Sequence, residues 1–248
     1  MNKDRIIYGM RPVMEALHAG VEMDKLLFQT GLRGELYHEV LSVVREKEIP
    51  YQLVPIQKLN RITTKNHQGV VGFLSPVTYE NIEQLIPQIF EAGQVPFLLI
   101  LDRVTDVRNF GALCRTAEAA GVHAIVFPSR GSAALNEDAV KTSAGALLRI
   151  PLCRIQNLKY TLEYFKNCGI KIIGITEKTD TVFFEEDLRV PLALLLGSEE
   201  DGISPAYLKF CDHKVRIPMM GEIESLNVSV AGGIVMYETV SQRMKDSL

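Results

Sequence analysis

Three stretches of this 248-residue sequence gather polar side chains directly after apolar runs, where they could hold a ligand. The first, 102–118, sets Asn109 ahead of Gly111 and Ala112, with Arg115 and Glu118 three residues apart and so on one helical face. Asn109 suits a helix N-cap, and the two small residues permit close backbone approach at the helix start. Taken alone, that is also what a capped helix with a surface ion pair would need. The second, 196–204, brackets Glu199, Glu200 and Asp201 between Gly197 and Gly202. Three carboxylates repel phosphate and no Gly-Lys-Ser/Thr ending is present, so a ligand bearing positive charge or hydroxyls fits better. Glu200 and Asp201 equally suit a solvated acidic turn. In the third, 217–231, Ser225 and Asn227 flank the start of an apolar, small-residue helix. Ser225 is expected at its N-cap and Asn227 in its first turn.

Such residues act together only if the chain aligns them. From residue 97 onward, short apolar runs at 97–101, 124–127, 171–175, 192–196 and 214–217 read as buried strands. Helical patterns at 109–120, 136–147, 158–168, 205–211 and 226–243 fall between or after them. This alternation predicts an α/β domain with a mostly parallel sheet covered on both faces, whose ligands sit beyond the carboxyl ends of the strands. All three polar stretches fall there. Upstream, Pro12 and Gly20 bracket a short helix, 34–48 carries an apolar helical stripe, and 25–28, 51–54 and 70–74 read as strands. A small α/β domain over 1–75 is therefore expected. Ser75-Pro76 is a breaker, and 76–94 reads as a solvated linker with some helix ahead of a larger domain over 95–248.

Composition narrows the class. Hydrophobic residues make up 47% and charged residues 23%, which supports a packed core and excludes disordered or collagen-like chains. The longest apolar run, 96–101, is strand-sized, and the first residues lack a signal-peptide core, so a soluble, cytoplasmic protein is expected. Net charge is −3, too acidic to grip nucleic acid by bulk charge alone. Its distribution is uneven: 1–75 and 102–154 are each +2, whereas 76–101 carries three acids and no cation. Two mildly basic segments of this kind are compatible with RNA binding.

Cys114, Cys153, Cys168 and Cys211 lack the close spacing of a zinc or redox motif, and neither a metal site nor a disulfide is expected. His18, His38, His67, His123 and His213 are scattered without ligand spacing. No G-x-G-x-x-G follows a strand and no G-x-S-x-G occurs, which weakens a nucleotide-dependent oxidoreductase and removes the hydrolase elbow.

Taken in order, Asn109-x-Gly111-Ala112-x-x-Arg115-Thr116-Ala117, Leu196-Gly197-Ser198-Glu199-x-x-Gly202, and Ile217-Pro218-Met219 with Ser225-Leu226-Asn227-Val228-Ser229 resemble the three motifs of the SpoU (TrmH-type) RNA 2′-O-methyltransferases of the SPOUT superfamily. The resemblance spans 97–245. Ile6-Ile7-Tyr8-Gly9 and His67-Gln68-Gly69 are similar to the small RNA-binding domain of members that modify ribosomal RNA. Val107-Arg108 departs from the pattern, since many relatives carry proline after the aspartate.

The resemblance implies a trefoil-knotted C-terminal domain, with knot loops at 196–204 and 217–229, and a homodimer whose active site borrows residues across its interface. It implies S-adenosylmethionine as methyl donor, held by Leu196, Gly197, Ile217, Met219 and Leu226, with no metal. Asn109, Arg115, Glu199, Ser225 and Asn227 become the catalytic candidates. The family assigns Arg115 the role of base, but a guanidinium with pKa above ~12 rarely yields a proton, which favours a phosphate and alkoxide clamp. The implied substrate is a guanosine of large-subunit ribosomal RNA. Transfer RNA is the alternative within the same chemistry, and a non-catalytic RNA-binding factor is the alternative outside it.

Overall fold

The computed structural model describes residues 5–245, which divide into two compact units, one ending at Thr78 and one beginning at Tyr79. The first unit carries β1 (Ile6–Tyr8), α1 (Met10–His18), β2 (Met23–Gln29), α2 (Glu35–Glu46), β3 (Tyr51–Val54), α3 (Ile56–Ile62) and β4 (Val70–Leu74). Its sheet runs β1-β4-β2-β3, with only β2 and β3 parallel. Strand periodicity divides the core. Leu26 and Phe28 join α1 and α2 on one face, while the intervening Leu27 joins Leu59 of α3 on the other. Gly20, left-handed at φ 72°, follows the end of α1 as the sequence predicts. Both α3 and β1 escape the sequence reading, being too short to show a period.

The two N-terminal motifs turn out to be a joint. The Gln68 side-chain oxygen accepts from the Met10 N–H at 3.0 Å, beside Gly9. His67 is buried, and its Nδ1 accepts from the Gly69 N–H at 3.0 Å. Its Nε2 therefore carries the proton and donates to Asn60 at 2.7 Å.

The second unit contains α4 (Ile82–Glu91), β5 (Phe97–Leu101), α5 (Val107–Ala119), β6 (Ala124–Pro128), α6 (Glu137–Thr142), β7 (Leu152–Ile155), α7 (Leu158–Asn167), β8 (Lys171–Ile175), β9 (Leu192–Leu196), α8 (Pro205–Leu208), β10 (His213–Val215) and α9 (Val228–Lys245). Its six strands are parallel throughout, in the order β10-β8-β9-β5-β6-β7. Leu98, Ile100, Ala193 and Leu195 face α4 and α7. On the opposite face, the Phe127 ring stands 5.1 Å from that of Phe110 in α5. Gly232 lets α9 lie close, because a Cβ there would fall 2.6 Å from Leu113 and 2.8 Å from Leu196.

Two expectations are corrected. The stretch 76–94 is not a solvated connector, since α4 buries Ile82, Ile86 and Ile89 against the sheet and leaves Glu83 and Glu91 exposed. The helix expected over 136–147 stops at Thr142, because Ala144 and Gly145 are both left-handed, at φ 51° and 86°. Between them and β7 lies a single 3₁₀ turn, Ala146–Leu148. The cysteines are free, with Cys114 and Cys153 buried. Burial pushes the Cys153 thiol up to about 12, so it packs as an inert apolar group. Among the described residues no helix is long and apolar enough to cross a membrane.

Arg243 fastens the end of α9 to the base of the sheet. Its guanidinium donates to the carbonyls of Val95 and Pro96 at 3.0 Å, Val190 at 2.9 Å and Leu188 at 3.4 Å, and lies 5.0 Å from the Phe97 ring centre. Arg243→Met keeps the apolar stem and removes every donor. It is expected to cost about 2–4 kcal/mol, seen as a lower urea midpoint at unchanged slope.

Candidate active site

The sheet register puts two of the three polar stretches side by side. Leu101, the last residue of β5, is paired with Leu196, the last of β9, so the loops after these strands leave from one point. The third stretch starts from β10 at the sheet edge and leads into α9, which packs on α5. Residues 216–226 thus bring the chain back across the ends of β8 and β9.

Where the loops meet, three side chains share one network. The Asn109 amide donates to Glu199 Oε1 at 2.6 Å, and the Asn227 amide donates to the same oxygen at 2.7 Å. Asn227 Nδ2 also lies 3.0 Å from Asn109 Oδ1, which accepts from it. The other end of Asn227 accepts from the Ser229 N–H at 2.9 Å and its hydroxyl at 2.6 Å. Every amide atom is therefore assigned by its partner, and the second Glu199 oxygen takes none of these bonds.

Local capping explains how the residues come to face one another, and corrects the sequence reading twice. Asp106, not Asn109, caps α5, accepting from the N–H groups of Arg108 and Asn109 at 2.8 Å. That places Asn109 in the first turn with its side chain free to reach Glu199. Asn227, not Ser225, caps α9 through Ser229, and Ser225 lies outside the network in an exposed loop. Gly111 is needed further along α5. A Cβ there would fall 2.9 Å from the Ala139 carbonyl, so glycine lets α6 pack against the helix. Arg115 lies nearly two turns beyond Asn109, exposed and apart from the network. Glu118, which shares a helical face with Arg115, stands 3.9 Å from Arg149.

The loop carrying Glu199 is closed on itself. Ser198 and Gly202 exchange backbone hydrogen bonds of 3.1 and 3.0 Å, and the Ser198 hydroxyl accepts from Asp201 N–H at 3.1 Å. A Cβ on Gly197 would lie 2.0 Å from the Gly202 carbonyl carbon and 2.1 Å from Ile203 N, so no other residue fits. On one side of Glu199 is a cavity of about 610 Å³, lined by Leu196, Gly197, Ile217, Met219 and Leu226 among others, with Ser225 in its wall. This size suits a nucleoside-sized ligand. On the other side, a pocket of about 240 Å³ is lined by Arg103, Asp106, Asn109 and Glu199. Asp102 and Arg103, at the root of both loops, escaped the sequence reading. A carboxylate abutting a five-residue apolar strand was the available signal.

A family model described as "SpoU rRNA Methylase family" matches residues 96–237, and one described as "RNA 2'-O ribose methyltransferase substrate binding" matches 6–80. The chain belongs to the SpoU methylase family. It is accordingly an RNA 2′-O-methyltransferase of the kind that uses S-adenosylmethionine. A Staphylococcus saprophyticus protein described as a TrmH family tRNA/rRNA methyltransferase is 34% identical over 96% of both chains. Among solved structures, the SpoU methyltransferase AviRb from Streptomyces viridochromogenes, in complex with AdoMet, is 25% identical. It covers 97% of this chain and 90% of its own, with a TM-score of 0.62. A TrmH/SpoU tRNA modifying enzyme of A. aeolicus is 31% identical over 66% of this chain and 85% of its own, at a TM-score of 0.57. Among the described residues no group of three or more His, Cys, Asp or Glu could hold a metal ion.

Asn227 both caps α9 and completes the network, and the two roles are separable. Asn227→Ser retains a capping oxygen but loses the amide donor, so stability should hold within about 0.5 kcal/mol by urea unfolding. Methyl transfer to RNA should fall by about 10²-fold, the scale of one lost preorganised donor.

Proposed function

We propose that this chain methylates a guanosine ribose of large-subunit ribosomal RNA, with the methyl donor in the larger cavity and the acceptor ribose at Glu199. The observation that carries the placement of donor and acceptor is the Asn109–Glu199–Asn227 network, which stands where the larger cavity meets the smaller pocket. The cavity fits S-adenosylmethionine. Ile217, Met219 and Leu226 offer apolar walls for a purine, and Gly197 leaves room for close backbone approach along the loop. Glu199, Glu200 and Asp201 supply negative charge for a cationic donor, as 196–204 suggests on composition alone. Bound there, the donor would supply a methyl group activated by its positively charged sulfur.

The protein's own part is orientation and charge. Both amides bond one oxygen of Glu199, so the other is free to accept from the attacking 2′-hydroxyl and hold it in line. Asn109 orients the ribose from the first turn of α5, and Ser225 lends a hydroxyl from the cavity wall. Arg115 acts as a clamp on the substrate phosphate and the developing alkoxide, because its planar fork and permanent charge suit both. The trefoil knot belongs to this reading, supported by the return of 216–226 across the sheet ends and by the fold of the SpoU neighbours.

So does a homodimer. Arg115 is exposed and apart from its own network. On α9, Val230 and Tyr237 are 50% exposed and Met244 62%. Their spacing of seven residues forms one apolar stripe, which a second copy would cover while bringing its Arg115 to the site. The substrate-binding unit over 6–80, together with the basic segment 102–154, supplies the RNA contact. Single-stranded or loop nucleotides suit it, since their ribose can be splayed out.

Mapping ribose methylation in ribosomal and transfer RNA, in cells with and without the gene, tests the substrate. One guanosine of large-subunit ribosomal RNA should lose its methyl group, and loss confined to transfer RNA would overturn that assignment. A mixing experiment tests the shared site. Arg115→Ala and Asn227→Ser are each expected to be nearly inactive, and refolding them together should restore about a quarter of wild-type activity, from heterodimers with one intact site. No recovery would place Arg115 and Asn227 of one chain in the same site.

A further inference from the structure

The loop that carries Glu199 is fastened to the end of β5 by a residue outside the three motifs. Arg103 has a left-handed backbone, φ 58°, which disfavours any side chain. Its guanidinium donates from Nε to Asp102 Oδ1 at 3.2 Å, from Nη1 to Asp201 Oδ2 at 3.1 Å, and from Nη2 to the Gly202 carbonyl at 3.1 Å. A longer contact of 3.4 Å reaches Asp102 Oδ2. Hydrogen bonding to Asp102, above all, holds the guanidinium pKa above its ordinary value.

Asp102 is the anchor. It is fully buried, its N–H donates to the Leu196 carbonyl at 2.8 Å, and its Oδ2 accepts from Ser204 N–H at 2.8 Å. Arg103 therefore spans from a fixed carboxylate at the strand end to the far limb of the loop, 201–202. The mutual bonds of Ser198 and Gly202 make that loop one unit, so holding 201–202 also holds 197–199. Every one of these partners lies at the loop end of the sheet, where β5 and β9 finish.

We propose that Arg103 is a positioning residue for the methyl-donor loop, setting the 197–202 wall of the larger cavity without touching the reacting atoms. This rests on the reading that the donor occupies that cavity. The left-handed backbone at 103 is the conformational cost of aiming one guanidinium at Asp102, Asp201 and the Gly202 carbonyl together. Glu199 keeps two further restraints of its own, from Asn109 and Asn227. Loss of Arg103 should therefore weaken donor binding far more than it slows the chemical step.

Three variants of the full chain test this: Arg103→Gly, Arg103→Lys and Asp201→Asn. Glycine relieves the left-handed backbone but removes all the bonds and leaves the buried Asp102 carboxylate with the Ser204 N–H alone. Its melting temperature should therefore fall while the chain stays folded, and Asp201→Asn separates donor binding from that loss. The Arg103→Gly dissociation constant for S-adenosylmethionine, by calorimetry, should rise about tenfold. The donor KM should rise in step while kcat at saturating donor changes by less than about threefold. Lysine keeps the charge but not the fork, and should recover part of the affinity. Asp201 is exposed, so Asp201→Asn leaves Asp102 paired while removing the ion pair to Arg103 and one carboxylate near the donor. Donor binding should weaken about threefold at unchanged melting temperature. The loss should persist at high salt, where a long-range charge effect alone would be screened.

Wild-type donor affinity in both Arg103→Gly and Asp201→Asn would overturn the proposal. So would an affinity loss in Arg103→Gly that merely tracks a fall in melting temperature while Asp201→Asn binds normally. Absence of donor binding in the wild-type chain is a different result. It would overturn the assignment of the cavity itself, and this proposal with it.

Discussion

Gly197 lies against the backbone of Gly202 and Ile203 with no room for even one carbon between them. The arrangement of the loop end of the sheet follows from that contact. It folds the chain after β9 straight back on itself, so the acidic loop stays short and its Glu199 stands above the β5–β9 seam. Asn109 and Asn227 can then meet on one carboxylate oxygen although one helix is entered from a central strand, β5, and the other from the edge strand, β10. A looser turn would carry Glu199 away from both amides and leave three polar side chains without a common partner.

Much of this was legible in the sequence, for identifiable reasons. The strands over 97–101 and 192–196 are buried on both faces, so each appears as a continuous apolar run with sharp ends. Placing the three polar stretches at strand ends needed only that pattern. The roles of individual residues were less visible, because several polar side chains in one short loop can each cap a helix. Asp106 and Asn109 compete for α5, and Ser225 and Asn227 for α9. The outcome depends on where Glu199 arrives, a contact that local propensity does not encode. Arg103 was hidden for the same reason, since its backbone conformation answers to partners nearly a hundred positions away.

The cation-free stretch before residue 97 gives the complementary lesson. Its acidic residues suggested a solvated link, yet Ile82, Ile86 and Ile89 repeat at helical spacing and bury against the sheet. Charge described one side of that helix and periodicity the other, and the apolar side decides where a helix lies. In the first unit, His67, Gln68 and Gly9 have a similar double character. Motifs that resemble a ligand-binding signature are engaged in holding β4, α1 and the loop after α3 together.

The central pairing of β5 with β9 has a consequence for how the molecule comes into being. Leu101 and Leu196 end neighbouring strands, yet β6, β7 and β8 are made between them, so β5 acquires this neighbour only late in synthesis. Asn227 comes later still. A nascent chain can complete α5 and half its sheet and yet lack this network, because the carboxylate and one of its two amides have not been made. Closing a sheet across so long an interval is slow relative to local helix formation. The Asn109–Glu199–Asn227 network is thus completed only when the start of the final helix has been made.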